Sequence, residues 1–184
     1  MDRKTRQRGR MAVALGFVAF AAMSLAGCGA ASAANPPARH HQAAASSPWL
    51  TFSASQRTAA VTLIAGYKGA NSGFNYDGYA HGQMVVSIPA GYTVTVTLKN
   101  QGSLPHSAAV VAGSPASTTL AFAGASAPSQ NTSTGLAIGQ SAEFHLTPKH
   151  AGTFYIVCLV PGHEQLGMWL KLVVTSGGVP SLSD

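Results

Sequence analysis

Acidic side chains are scarce in this 184-residue chain: Asp and Glu together number 5, against 11 Lys and Arg. Beyond residue 27 only Asp77, Glu143, Glu164 and Asp184 remain, none beside another, so general acid–base chemistry is poorly supplied. No Ser-His-Asp order suggests hydrolysis either. Charge of both signs is thin, at 9% of residues, and five of the eleven cations (Arg3, Lys4, Arg6, Arg8, Arg10) crowd into the first ten positions. The remaining six are scattered, which argues against a nucleic-acid-binding domain with its basic stripe. Two cysteines, Cys28 and Cys158, are too few for a disulfide framework or for a zinc site built on several thiolates. A long amphipathic helix is also missing. What is present is 46% apolar residues, enough for one core and against disorder.

The basic start is followed by an apolar run from Met11 to Ala26, shorter than the ~20 residues a spanning helix needs. Residues 1–27 therefore read as an export signal. Its ending, Leu25-Ala26-Gly27-Cys28, resembles a bacterial lipobox, which makes Cys28 the expected lipidation site and holds the chain on the outer face of the cytoplasmic membrane. Cleavage near Ala31-Ser32-Ala33, giving a freely secreted form, is the other reading. Residues 28–47, rich in Ala, Ser, Pro and Gln, read as a tether, and His40 and His41 in it as solvated spacer residues. A Cys28–Cys158 disulfide is the plain alternative to lipidation. If Cys28 is acylated, Cys158 stands alone in an oxidising compartment and needs burial or a metal to protect it.

From residue 48 to 177 the pattern is one of strands. Tyr92-Thr93-Val94-Thr95-Val96-Thr97-Leu98 alternates apolar and hydroxyl side chains with period two, as a half-buried strand does. Similar runs lie at Thr58–Ala65, Met84–Ile88, Ser107–Val111, Ser141–Leu146, Thr153–Cys158 and Met168–Val174, with turn residues between them. Seven to eight strands so spaced predict an all-β antiparallel sandwich. A further edge strand is expected around Thr118–Phe122, and residues 178–184 read as a C-terminal tail.

Chemistry concentrates between Phe154 and Trp169. Cys158, His163 and Met168 recur at five-residue intervals around a turn containing Pro161, Gly162 and Gly167, so a strand–turn–strand can aim a thiol, an imidazole and a thioether at one point. His106, after Leu104-Pro105 at the start of an apolar strand, supplies the best second imidazole. Two imidazoles, one thiolate and a weak axial thioether make the type 1 copper set. Ser107, Leu104, Pro105 and Pro161 would surround it, Ser107 fixing the ring of His106. Leu104, Leu159, Val160, Pro161 and Leu166 would limit water, and His163 at the bend would be the more exposed ligand and the electron port. His81, His145 and His150 read as turn or surface residues. Phe74–Tyr79 reads as a loop packed on the sandwich, and Trp49, Phe52 and Trp169 as core or rim.

The pattern Cys158-x4-His163-x4-Met168 with a distant upstream His resembles the cupredoxins, the small blue copper proteins. Within them it is most similar to sulfocyanin, through Phe74-Asn75-Tyr76-Asp77-Gly78, Gly82-Gln83-Met84, Ile88-Pro89-Ala90-Gly91-Tyr92 and Leu104-Pro105-His106-Ser107. Ser107 directly after the first ligand His is also similar to rusticyanin. The resemblance implies a Greek-key β-sandwich binding one copper ion through His106, Cys158, His163 and Met168, and a monomeric single-electron carrier rather than an enzyme. It departs from the family in the lipobox and in the Ala/Ser-rich passage from Gly113 to Gly135. A dinuclear copper centre would need a second Cys in the loop, and catalytic copper further His ligands. Expected partners are redox proteins such as cytochromes or a terminal oxidase of an extracytoplasmic respiratory chain, with the membrane reached through the lipid anchor. The second hypothesis is a copper chaperone delivering metal to a membrane oxidase, which would want an open, exchangeable site.

Overall fold

The computed structural model describes residues 47–184. The export signal, Cys28, His40, His41 and the tether lie outside the described residues, apart from Ser47. No helix among the described residues is long and apolar enough to cross a membrane.

Alternation along the strands becomes two sheets facing one another. The first has the order β1 (Leu50–Ser53), β2 (Thr58–Ala65), β4 (Thr93–Asn100), β7 (Ser141–Leu146). The second runs β10 (Ser181–Ser183), β3 (Val85–Pro89), β9 (Trp169–Thr175), β8 (Gly152–Val157), β5 (Ala108–Val111), β6 (Ser126–Ala127). In β4 the apolar Val94, Val96 and Leu98 are buried while Thr93 and Lys99 face solvent. These meet Val86, Ile88, Val110, Ile156, Leu170 and Leu172 of the other sheet in one core. Phe52 packs partly buried against that core, and Trp169 sits half-buried on the outer face with Tyr155 and Leu159.

Every expected run is a strand within about two residues, but the described residues form ten strands rather than seven to eight. The three additional strands, β1, β6 and β10, are two to four residues long and all lie on sheet edges. A strand that short shows no legible period, and the ladder beside it supplies the reason it is extended. The expected edge strand at Thr118–Phe122 is reduced to one bridge, Val111 to Leu120, and the edge is taken by Ser126–Ala127 instead. Nor does all of residues 178–184 hang free: Ser181–Ser183 pairs antiparallel with β3.

The sheets are also mixed, not antiparallel throughout. β2 runs parallel to β4, and β3 parallel to β9. The cause is the order of travel: between β2 and β4 the chain crosses to the other sheet to form β3, so two successive members of one sheet run the same way.

Leu98 is fully buried in the core whereas Thr58 is exposed at the start of β2. Leu98→Ala is expected to cost about 2–5 kcal/mol, and Thr58→Ala no more than about 0.5 kcal/mol, both measured by urea unfolding of the copper-free protein.

Candidate metal centre

Three of the expected ligands converge at one end of the sandwich. The donor atoms of His106, Cys158 and His163 all lie within 4.8 Å of one another, and all three residues are buried. Cys158 follows directly on β8, and its amide donates to the carbonyl of Met168 at 3.1 Å. The chain then turns back: the His163 amide donates to Val160 O at 3.1 Å and the Met168 amide to His163 O at 3.0 Å. Gly162 and Gly167 adopt φ of 84° and 90°, which side chains resist, so the tight loop is glycine-dependent at both ends. Met168 is thereby placed beside Cys158 and His163 and is fully buried. His163 Nδ1 lies 3.4 Å from Cys158 Sγ.

His106 arrives from the other side, ahead of β5. Its backbone is bridged to Leu136 in both directions, at 3.2 and 2.7 Å. Space for the imidazole is made by absent side chains: a Cβ on Gly102 would stand 2.9 Å from Nε2, and one on Gly66 would meet Gly102 at 2.3 Å. Nε2 therefore packs on glycine, leaving Nδ1 as the nitrogen free for a ligand role. Asn100 braces this loop, its side-chain amide donating to Leu104 O and Leu136 O, both at 2.8 Å.

Ser107 differs from its expected role. It does not hold the ring of His106, whose two nitrogens have no hydrogen-bond partner. Its amide instead donates to Cys158 Sγ at 3.4 Å, its hydroxyl lies 3.7 Å from the same sulfur, and that hydroxyl accepts from the Leu159 amide at 2.9 Å. The β5–β8 register explains this, because Ala109 opposite Val157 places Ser107 opposite Leu159, alongside Cys158. Leu104 and Leu166, with Pro105 and Pro161, form an exposed rim rather than a seal. Of the three clustered donors His163 is indeed the most exposed, at 8%. His81, His145 and His150 are exposed and are not among the clustered donors, although the His81 ring packs on Gly167 of the ligand loop. On the flank left open by the sequence, Pro115–Thr118 line a surface groove together with Leu159–Gly162 and Cys158.

The Phe74–Tyr79 loop does more than pack. Phe74 meets the His163 ring edge-on at 4.9 Å between centroids. Tyr76 is fully buried and donates its hydroxyl to Ser107 O. Asp77 and Gly78, both with positive φ, turn a hairpin closed by Tyr76 and Tyr79 at 3.0 and 2.8 Å. The Asp-Gly pair was the available sequence signal for that turn, while nothing local announced the reach of Tyr76.

Burial sets the electrostatics. Desolvation, helped by the neighbouring His163, lowers the pKa of His106 to about 4, and desolvation lowers that of His163 too. Both rings are thus neutral and able to ligate. Burial pushes the Cys158 thiol up, opposed by the backbone amides of Ser107 and Val160 and by the Ser107 hydroxyl near the sulfur. A buried imidazole with neither nitrogen paired, next to a thiol and a second imidazole, is an arrangement a metal ion completes. Soft sulfur with two nitrogens is the donor chemistry of copper, so the residues fit that ion.

Such a site at the end of a two-sheet sandwich defines a type 1 copper protein of the cupredoxin class. A family model and one relative agree. Residues 45–181 match the family model described as the sulfocyanin (SoxE) domain. The chain is 33% identical over 134 residues to the sulfocyanin of Sulfolobus acidocaldarius, covering 68% of this chain and 67% of that protein. Among solved structures, a rusticyanin variant structure aligns with a TM-score of 0.52 at 24% identity, over 69% of this chain and 86% of its own. The reduced auracyanin of Roseiflexus castenholzii aligns at 0.47 and 22%, over 63% and 96%. This chain belongs to the sulfocyanin family.

Two pH dependences follow. Copper binding displaces one thiol proton, so its apparent affinity should fall about tenfold per unit from pH 8 to pH 6.5 and more steeply below as His163 and, at about 4, His106 take protons; competition with a chelator across pH measures the slope. Asp77 behaves oppositely: burial raises its pKa from 3.8 to about 7, against a hydrogen bond from the Ile64 amide. The folded state then holds a proton that the unfolded chain releases, so its contribution is fully present below pH 3.8 and is lost as pH rises through about 7. Relative to Asp77→Asn, the native chain should lose roughly 2–4 kcal/mol of unfolding free energy between pH 4 and 8, read from urea titrations of the two proteins in parallel.

Proposed function

We propose that this protein is an exported, lipid-anchored, single-electron carrier of an extracytoplasmic respiratory chain. The observation that carries the electron-carrier part is the buried His106–Cys158–His163 cluster, its three donors within 4.8 Å of one another. Bound copper supplies a one-electron couple between Cu(I) and Cu(II). The protein residues would hold that ion without a large rearrangement, since His106 and Cys158 lie next to the ends of β5 and β8 and all three donors sit in segments closed by backbone hydrogen bonds.

Met168 would add a weak thioether donor to the set, a role supported by its complete burial and its backbone contacts with Cys158 and His163. His163 is the route of entry and exit for the electron, because it alone of the clustered donors retains some exposure and its surroundings include the apolar Leu166 and Pro161. A small uncharged patch suits the brief contacts of electron transfer. The partners are cytochromes or a terminal oxidase, met by a monomer. Anchoring through Cys28 follows from the Leu25-Ala26-Gly27-Cys28 ending, and the tether up to residue 47 gives the domain reach from the membrane surface. A chaperone reading finds less support: delivery needs donors open to exchange, and these are buried.

Adding Cu(II) to the purified protein should produce an intense blue charge-transfer band that a reductant bleaches and reoxidation restores. Cys158→Ser should abolish the band, whereas His150→Ala, on an exposed turn, should leave it. A weak d–d spectrum from the native chain would overturn the carrier reading.

A further inference from the structure

The segment Phe74-Asn75-Tyr76-Asp77-Gly78 contains no ligand, yet its central residue is the largest fully buried side chain in the described structure. A buried phenol must place its hydroxyl. Tyr76 places it on Ser107 O, across 31 residues of sequence, and is itself fixed by the Asp77-Gly78 hairpin and by a bridge to Ala65.

Ser107 is the other half of the observation. Extending the β5–β8 register puts it opposite Leu159, where a strand residue would close a backbone rung. It directs its polar groups elsewhere: the amide to Cys158 Sγ, the hydroxyl to the Leu159 amide, the carbonyl to the Tyr76 hydroxyl. The Leu159 amide is thus held by a side chain at 2.9 Å, while the Ser107 carbonyl that could compete for it is occupied by the phenol. Without that phenol the carbonyl is free to turn toward Leu159 and close the rung, drawing the amide and hydroxyl of Ser107 away from the sulfur.

We propose that Tyr76 is a positioning residue for the Cys158 sulfur: its hydroxyl holds Ser107 in the orientation that aims two donors at the thiolate, and so raises the reduction potential of the centre. This rests on the copper-carrier reading above. The physical link is charge density on sulfur. Donors to a thiolate withdraw density, weaken its preference for the more positive metal state, and favour the reduced one; hydrogen bonding around the Cys sulfur is a recognised lever on the potential of such sites. The phenol stays a donor at every working pH, since burial first, and the neighbouring Cys158 next, push it well above its ordinary value.

The test is Tyr76→Phe in the full chain, with two readouts. In a reversible redox titration of the copper-loaded protein, the variant should remain blue but titrate at a lower potential than the native chain. In the copper-free protein, the Ser107 amide should exchange with solvent roughly tenfold faster relative to the native chain, the loss of about one hydrogen bond. Tyr79→Phe, whose hydroxyl reaches only Asp184 at the exposed C-terminus, should change neither. An unmoved potential together with unmoved Ser107 exchange would overturn the proposal. If Tyr76→Phe does not fold, 3-fluorotyrosine at position 76 keeps the ring and donates more strongly; the potential should then rise, and no shift would count against the role. Failure of the native chain to turn blue would sink the carrier reading itself, whereas a blue native chain with an unmoved variant would sink only this one.

Discussion

Desolvation at one end of the sandwich is the constraint on which the rest of this structure depends. It acts on Cys158, His106 and His163 at once and with opposite consequences. The imidazoles lose their affinity for protons and stand neutral, while the thiol becomes reluctant to ionise. Isolated, a buried thiolate would be costly. The fold gathers the Ser107 amide and hydroxyl around that sulfur, with His163 Nδ1 at 3.4 Å, and a soft cation satisfies the remainder. The same burial that makes the metal-free site unfavourable for charge makes it selective for an ion bound by neutral nitrogen and anionic sulfur together.

Rigidity around the site comes from close backbone approach more than from bulk. His106 is housed against Gly66 and Gly102, with Gly135 against its backbone. On the opposite side, the turn at residues 80–83 and the ligand loop interlock reciprocally. The His81 ring covers Gly167 and the Trp169 ring covers Gly82, while the amides of His81 and Gly82 donate to Gly167 O and Trp169 O at 2.7 and 2.9 Å. A centre that changes charge by one electron gains from such surroundings, because few groups are free to reorganise with it.

The ligand loop was legible because its chemistry is local: a strand ending at Cys158, glycines at 162 and 167, and three donors at even spacing need only one turn to meet. The long internal strands were legible for a similar reason, since β2 and β4 write their two faces directly into alternating residues. The edge strands β1, β6 and β10 were not, being too short to carry a period and extended only because a neighbour offers a ladder. Nor could alternation tell parallel from antiparallel pairing, because both have period two; the direction of β2 against β4 depends on β3 having crossed to the other sheet.

Residue identity therefore determined by itself the kind of chemistry available: one thiol within the strand-forming region, imidazoles to accompany it, and almost no carboxylates to do anything else. Those are properties of side chains and of near neighbours, and they survive in an unfolded chain. Tertiary structure alone decided which polar group serves which atom. Ser107 reads as a companion of His106 because they are adjacent in sequence, yet register across two strands turns it to Cys158. Tyr76 and Asp77 read as loop residues, yet packing buries both, one against Ser107 and the other with a carboxylate oxygen left unpaired. Such assignments depend on distances between segments tens of residues apart, and those distances exist only once the two sheets have closed on each other.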